Sequence, residues 1–394
     1  MALYFDGHTP LKGIVTPSGS VYSALSIIAS SLLFEKTLIE NVPKVPKIEE
    51  LLSSIKDLGV GINWFSNKTL ELELSSLTND TVTSPPLIVP VLARFGTVRF
   101  PRKILSLEKA QFFESCGVVF SAIDKNNVLG TLGSIDSLTI STEHSLELSI
   151  AALLLCTKAT GLARLTNFLL TEETLDLIDF LKVQGFKVTS DSKTSGEIMI
   201  DGVAAKPTDA RFSLPASALE SAFWLSAAVI SYGDITIKNA SRERLISFLS
   251  KVSSLGAHFE FDGEDLRAWQ DEGHPLVPIE FEITKEMPLY DFLPLLLPLI
   301  LRANVTSYVR GINLDEEIYV KDLNLFNAKI LNGAVTGPVA LKGSRVALPN
   351  FLGGLAVILA ALGSSGKSEI LEDEAVCDYV DSLPQKLNQL SGKI

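Results

Sequence analysis

Apolar and polar positions along the chain fall into a pattern that recurs six times. Each copy holds an apolar helix, a short strand punctuated by Gly or Asn, and an amphipathic helix that ends in Leu-Gly or a similar stop. In the first copy, Ser23-Ala24-Leu25-Ser26-Ile27-Ile28-Ala29 predicts an apolar helix and Lys36-Thr37-Leu38-Ile39-Glu40-Asn41-Val42 a strand. Residues 48–58 predict an amphipathic helix closed by Gly59, and Val60-Gly61-Ile62-Asn63-Trp64 a further strand. The third copy runs from Ser145-Leu146 through Ala163-Arg164-Leu165-Thr166-Asn167 to Leu181-Lys182-Val183-Gln184-Gly185. The fourth runs from Leu219 through Asp234-Ile235-Thr236-Ile237-Lys238-Asn239-Ala240 to Ser254-Leu255-Gly256. Weaker copies span residues 86–117, 291–329 and 351–392, the last with Lys367-Ser368-Glu369-Ile370-Leu371 as its strand. Successive stops lie roughly 60 to 70 residues apart, too long for the small solenoid repeats.

The first helix of each copy is apolar nearly all round, so it must be buried on every side and needs a sheet wrapped about it. Three such units around a common axis would place helices inside and sheets outside, and six units would make two lobes. The longest apolar runs, residues 292–301 and 351–362, are interrupted by Pro294, Pro298, Gly353 and Gly354. They fall short of the ~18 to 20 residues that a bilayer span needs. They read as buried helices, and no membrane span is expected.

Composition narrows the function. With 46% apolar and 20% charged residues the chain can bury a large core and is globular throughout. The 34 Lys and Arg against 46 Asp and Glu leave a net charge of −12, which argues against nucleic acid as a partner. The opening Met-Ala-Leu-Tyr-Phe-Asp-Gly-His lacks the basic and apolar regions of a secretory signal, so a cytoplasmic protein is expected. Cys116, Cys156 and Cys377 offer neither an even count nor a metal-binding spacing. His8, His144, His258 and His274 are scattered along the sequence, so no metal site and no cofactor are expected.

The stretch Leu11-Lys12-Gly13-Ile14-Val15-Thr16-Pro17-Ser18-Gly19-Ser20, followed by the apolar helix and Ile39-Glu40-Asn41-Val42-Pro43-Lys44-Val45, closely resembles the opening of UDP-N-acetylglucosamine enolpyruvyl transferases. Leu92-Ala93-Arg94-Phe95-Gly96, Ala227-Ala228-Val229-Ile230-Ser231 and Asn239-Ala240 extend the resemblance, as does the six-unit plan, which 5-enolpyruvylshikimate-3-phosphate synthases share. The resemblance implies a two-lobed inside-out α/β barrel of six βαβαββ-like units. One lobe would hold residues 21–214 and the other residues 1–20 with 215–394. It further implies a small-molecule ligand in the cleft between the lobes.

The chemistry that the family needs is depleted here. Joining phosphoenolpyruvate to a hydroxyl of a second anionic substrate concentrates negative charge, which Lys and Arg must hold. By resemblance the family's Lys-Asn pair falls on Val21 and Tyr22, and its next arginine near Val82. The mobile loop with its acid/base group shrinks to Pro101-Arg102-Lys103-Ile104-Leu105-Ser106, and Cys116 lies too far on to replace that group. The third unit offers Glu143-His144-Ser145-Leu146-Glu147, of which only Ser145 matches and whose carboxylates would repel a pyrophosphate. Further arginines fall within Asp315-Glu316-Glu317 and near Leu352. Each lost charge-assisted contact costs on the order of 1.5 to 3 kcal/mol, so four losses should abolish tight phosphoenolpyruvate binding.

One family residue persists. Met287-Pro288-Leu289-Tyr290-Asp291 matches the segment that carries the general-base aspartate, so Asp291 is the catalytic candidate, with an N-cap of the following helix as the alternative role. Ser20, Tyr22, Arg102, Lys103 and Ser145 are the candidate substrate-binding positions, and Arg310 is a further source of charge. Asp315-Glu316-Glu317 reads as a solvated face and Ser241 as an N-cap with Arg244 toward solvent. Gly363-Ser364-Ser365-Gly366-Lys367-Ser368 follows a helix and precedes a strand, the reverse of a phosphate-binding loop. Two functions fit: a divergent enolpyruvyl transferase-family protein without the standard carboxyvinyl transfer, acting as a binding or structural homologue, or an active transferase on a nucleotide-sugar or other hydroxylated small molecule with Asp291 as general base. The first allows for a protein partner or self-association.

Overall fold

The computed structural model describes residues 2–7, 9–74, 76–79, 81–190, 196–202, 209–285, 287–348, 350–371 and 374–392; His8 lies outside them. The chain divides into two compact units, Gly19–Leu214 and a second made of Met1–Ser18 with Pro215–Ile394.

The unit Gly19–Leu214 carries three sheets. One orders Asp209–Ser213, Lys36–Glu40, Thr69–Glu73 and Gly61–Ser66; the second Thr97–Pro101, Asn127–Leu132 and Val118–Ala122; the third Lys187–Ser190, Ile198–Asp201, Leu162–Thr166 and Leu138–Ser141. Ile39, Leu70 and Leu72 alternate with half-exposed polar neighbours and turn one face of the first sheet inward. Inside lie the apolar helices Val21–Ser30, Ile88–Phe95 and Leu146–Cys156, the second packed on the third. The amphipathic helix Glu172–Val183 packs on Val21–Ser30. The strand Asp209–Ser213 pairs in parallel with Lys36–Glu40, Phe212 opposite Ile39, so the last strand of this unit completes its first sheet. Gly19 makes the junction fit: a Cβ there would sit 2.6 Å from the Asn41 carbonyl oxygen and 2.8 Å from Leu214 Cβ. No larger residue can occupy that approach.

The second unit repeats the scheme. Its sheets order His258–Asp262, Asp265–Trp269, Asp234–Ile237 and Lys12–Val15; Glu280–Glu282, Ser307–Arg310, Ala334–Val335 and Ile330–Leu331; and Leu3–Phe5, Ser368–Leu371 and Arg345–Ala347. The helices Ala218–Ile230, Leu293–Ile300 and Phe351–Leu362 pack on one another within one continuous apolar core. At Gly233 a Cβ would meet the Leu11 carbonyl oxygen at 2.0 Å, where the N-terminal strand joins its sheet.

Among the described residues each unit carries three sheets and three buried helices in line with the repeat pattern, with three strands in place of four in one sheet of each unit. The segment after Gly363 is indeed helix, turn, strand. Arg244, expected toward solvent, is half-buried, although Ser241 does accept the Arg244 N–H as an N-cap. No helix among the described residues is long and apolar enough to cross a membrane.

Candidate functional site

In the unit Gly19–Leu214 two of the sequence candidates are structural. Ser20 Oγ accepts the Ser23 N–H at 3.4 Å and starts the helix Val21–Ser30. Ser145 Oγ does the same for Leu148 N–H, at 3.4 Å, before Leu146–Cys156. Both hydroxyls satisfy helix N–H groups that otherwise lack partners. Tyr22, in the first turn of its helix, is exposed.

Two of the positions where the family resemblance places cations are apolar and buried. Val21 is 2% and Val82 0% exposed, and the Val82 N–H donates to Arg99 O within the sheet. An ionised side chain at either depth would lose its hydration without recovering it. Cys116 ends the helix Leu107–Ser115 buried, and burial pushes its thiol up to about 12, so it stays protonated and inert at neutral pH. Glu147, expected to repel an anion, is ion-paired with Lys109 and its charge is offset.

Arg102 and Lys103 are brought together with a third cation that spacing along the sequence does not single out. The strand Thr97–Pro101 runs antiparallel to Asn127–Leu132 with Pro101 opposite Asn127, and a single 3-10 turn, Arg102–Ile104, follows. The Arg102 N–H donates to Asn126 O at 2.7 Å. This register sets Arg102, Lys103 and Lys125 around a cavity of about 630 Å³ that Pro101, Asn126 and Asn127 complete. Among the described residues none of the three forms an ion pair. Asp124, the carboxylate next in sequence, is turned to its own loop: Oδ2 accepts Asn127 Nδ2, and Oδ1 the N–H groups of Asn126 and Asn127. These bonds, the Asn127 side chain first, hold its carboxyl below the usual range. The result is a solvent-open basic pocket able to receive an anion.

Asp291 lies in the other unit. It does not cap the helix that follows it: it sits inside a 3-10 turn, Pro288–Phe292, and the helix Leu293–Ile300 starts after Phe292 with no side-chain cap. Among the described residues its carboxylate makes no hydrogen bond or ion pair, and burial raises its pKa above the ordinary carboxylate range. The adjacent Tyr290 hydroxyl donates to Glu317 Oε1 at 2.8 Å. Glu317 also lines a cavity of about 270 Å³ with Thr284, Lys285, Gly311, Asn313 and Glu316. Arg310 is no free source of charge, since its guanidinium holds Glu280 at 2.6 Å. The Asp315-Glu316-Glu317 run is held by hydrogen bonds, Asp315 accepting the Asn332 N–H, Glu316 the Asn313 amide and Glu317 the Tyr290 hydroxyl. Leu352, half-buried, stands at the start of Phe351–Leu362, where Asn350 supplies the cap. A half-buried carboxylate without a partner can accept a proton, but among the described residues that line this cavity Asp291 is absent and Lys285 is the one cation.

The expectation that the histidines lie apart fails for one pair. His258 and His274 approach to 5.6 Å between ring centroids, because a hairpin and a turn fold the intervening residues back.

Comparison with known proteins agrees with the fold. The sequence profile of the EPSP synthase (3-phosphoshikimate 1-carboxyvinyltransferase) family matches residues 134–378, more than half of the chain. The UDP-N-acetylglucosamine 1-carboxyvinyltransferase of a Nitratiruptor species is 25% identical over all of this chain and 98% of its own length. That of Campylobacter lari is 27% identical with the same coverage. Among solved structures, the enolpyruvyl transferase NikO from Streptomyces tendae superposes with a TM-score of 0.83 at 17% identity, covering 99% of this chain and 97% of that one. EPSP synthase from Acinetobacter baumannii gives 0.78 at 16% identity, covering 99% and 98%.

Proposed function

The chain belongs to the EPSP synthase (3-phosphoshikimate 1-carboxyvinyltransferase) family, and from that premise we propose that it has kept the fold and given up the phosphoenolpyruvate-dependent carboxyvinyl transfer, acting instead as a binding homologue for an anionic small molecule. The observation that carries this reading is the burial of Val21 and Val82, at 2% and 0% exposure, where the family resemblance calls for cations. Such residues support packing and offer nothing to a phosphate or carboxylate. The glutamates of Asp315-Glu316-Glu317 add negative charge where another arginine is expected.

The cations of the basic pocket, Arg102, Lys103 and Lys125, give the binding role its ligand class. Calorimetric titration of the full chain with UDP-N-acetylglucosamine, and separately with phosphoenolpyruvate, tests the reading. Phosphoenolpyruvate should bind no more tightly than inorganic pyrophosphate, and only through the Arg102, Lys103 and Lys125 pocket, whereas micromolar binding that survives Arg102→Ala with Lys125→Ala would overturn the proposal. If the nucleotide sugar binds, Arg102→Ala with Lys125→Ala should weaken it.

One observation favours a second reading. Because capping does not account for Asp291, its half-buried carboxylate supports an active transferase on a hydroxylated small molecule with Asp291 as the general base. Product formation from any hydroxylated acceptor, lost in Asp291→Asn, would favour this reading over the first.

A further inference from the structure

His258, Asp271 and His274 bring two imidazoles and one carboxylate together on the unit that holds residues 215–394, and we propose that they form a binding site for a divalent transition-metal ion of the zinc type. One donor atom from each residue lies within 4.8 Å of the others. A tetrahedral ion with bonds of about 2.0 to 2.1 Å sets its donors about 3.3 Å apart, so closure asks only that the side chains move inward by about 1.5 Å at most.

The local structure fits one fixed ligand and two adjustable ones. His258 opens the strand His258–Asp262 and is paired in register with Trp269, on whose ring it stacks at 5.5 Å with only 13° between the planes. That contact holds its imidazole. Asp271 and His274 belong to the turn that follows the strand Asp265–Trp269, and their side chains are 65% and 68% exposed, free to rotate. The turn itself is fastened, since the His274 N–H donates to Asp271 O at 3.1 Å and Gln270 Nε2 donates to His274 O at 2.6 Å.

Among the described residues neither imidazole makes a hydrogen bond, and His274 Nδ1 stands 3.9 Å from Asp271 Oδ2, an ion-pair distance with room for adjustment. The nearby Arg267, which also packs on the Trp269 ring, does not oppose a cation because Asp234 and Glu260 neutralise it. Two imidazoles and a carboxylate suit zinc and its neighbours over magnesium or calcium, which prefer oxygen alone. Three protein donors leave a position open to water or to a donor from a ligand. His274 also lines a cavity of about 520 Å³ with Tyr232, Gln270 and Arg302.

This inference is independent of the proposed function, and its test needs no activity. Tag-free full-length protein is stripped with a chelator and titrated with Zn²⁺ against a chromogenic competitor, then with Co²⁺ while the visible d–d bands are followed. One equivalent should bind, and His258→Ala, Asp271→Ala and His274→Ala should each weaken it at least about tenfold, with far-ultraviolet circular dichroism unchanged. Cys377→Ser should leave binding as it was. Absence of uptake overturns the proposal, and so does uptake that survives His258→Ala with His274→Ala, because the ion then sits elsewhere.

Discussion

Lys386, half-buried, reaches the buried Glu220 at 2.6 Å and so ties the last helix, Leu383–Ser391, to the core helix Ala218–Ile230. The Glu220 carboxylate also accepts Trp224 Nε1 at 3.0 Å and the Ser18 N–H at 3.0 Å, so the first and last parts of the unit meet on one charged group. Removing the cation alone leaves a buried carboxylate uncompensated, which costs about 3 to 5 kcal/mol. Lys386→Met is therefore expected to lower the urea midpoint strongly with little change in slope. A shift under about 1 kcal/mol would mean that the pair is solvated in solution.

Glu173 predicts a pH dependence in the other unit. It lies at the start of Glu172–Val183, buried against Ser26, whose hydroxyl donates to it, with Asp176 one turn on. Burial pushes its carboxyl up to about 7, the Ser26 bond opposing and Asp176 adding to the rise. The folded state thus binds a proton that the unfolded chain releases near pH 4.5, so this contribution to stability is complete below about pH 4.5 and is lost as pH rises through about 7. The loss is about 3 kcal/mol. Urea unfolding of wild type and Glu173→Gln across pH 4.5 to 8 isolates it, and the difference between the two should shift by that amount. A constant difference would contradict the assignment.

The caps and the basic pocket should separate in mutagenesis. Ser20→Ala and Ser145→Ala remove helix caps and should each cost about 1 kcal/mol of stability, with no effect on anion binding. Arg102→Ala with Lys125→Ala alters exposed, unpaired charges and should leave stability unchanged while weakening inorganic pyrophosphate binding about tenfold or more at low salt. Calorimetry beside urea unfolding reads both arms, and a cap variant that loses pyrophosphate would return Ser20 or Ser145 to the ligand.

Thiol reactivity checks the burial of Cys116. At pH 8 the native protein should react with an aromatic disulfide reagent at Cys377, which is half-buried, while Cys116 and Cys156, both fully buried, react only on unfolding. Rapid modification of Cys116 in the native state would reopen a catalytic role for it.

The core helices were legible because each is apolar nearly all round, a pattern that a wrapped helix satisfies. The partners of the outlying strands were not. Nothing local in Lys12–Val15 or Asp209–Ser213 says that each will pair in parallel with a strand about two hundred residues away or in another copy. A cap at Asp291 fails because an Asp before an apolar run looks like a helix start, whereas Pro288 nucleates a 3-10 turn that delays the helix past Phe292. Lys125 and the His258 and His274 pair were hidden for a shared reason. Hairpin register brings them to their neighbours, Pro101 opposite Asn127 in one case and His258 opposite Trp269 in the other, and register depends on turn geometry that spacing alone does not reveal.

Inorganic phosphate release reads out whether the chain performs carboxyvinyl transfer. Full-length protein incubated with phosphoenolpyruvate and UDP-N-acetylglucosamine, and separately with phosphoenolpyruvate and shikimate 3-phosphate, should release no phosphate above the protein-free rate. Steady release coupled to a carboxyvinylated product would contradict the account and show that Asp291 and the remaining cations suffice for the family's reaction.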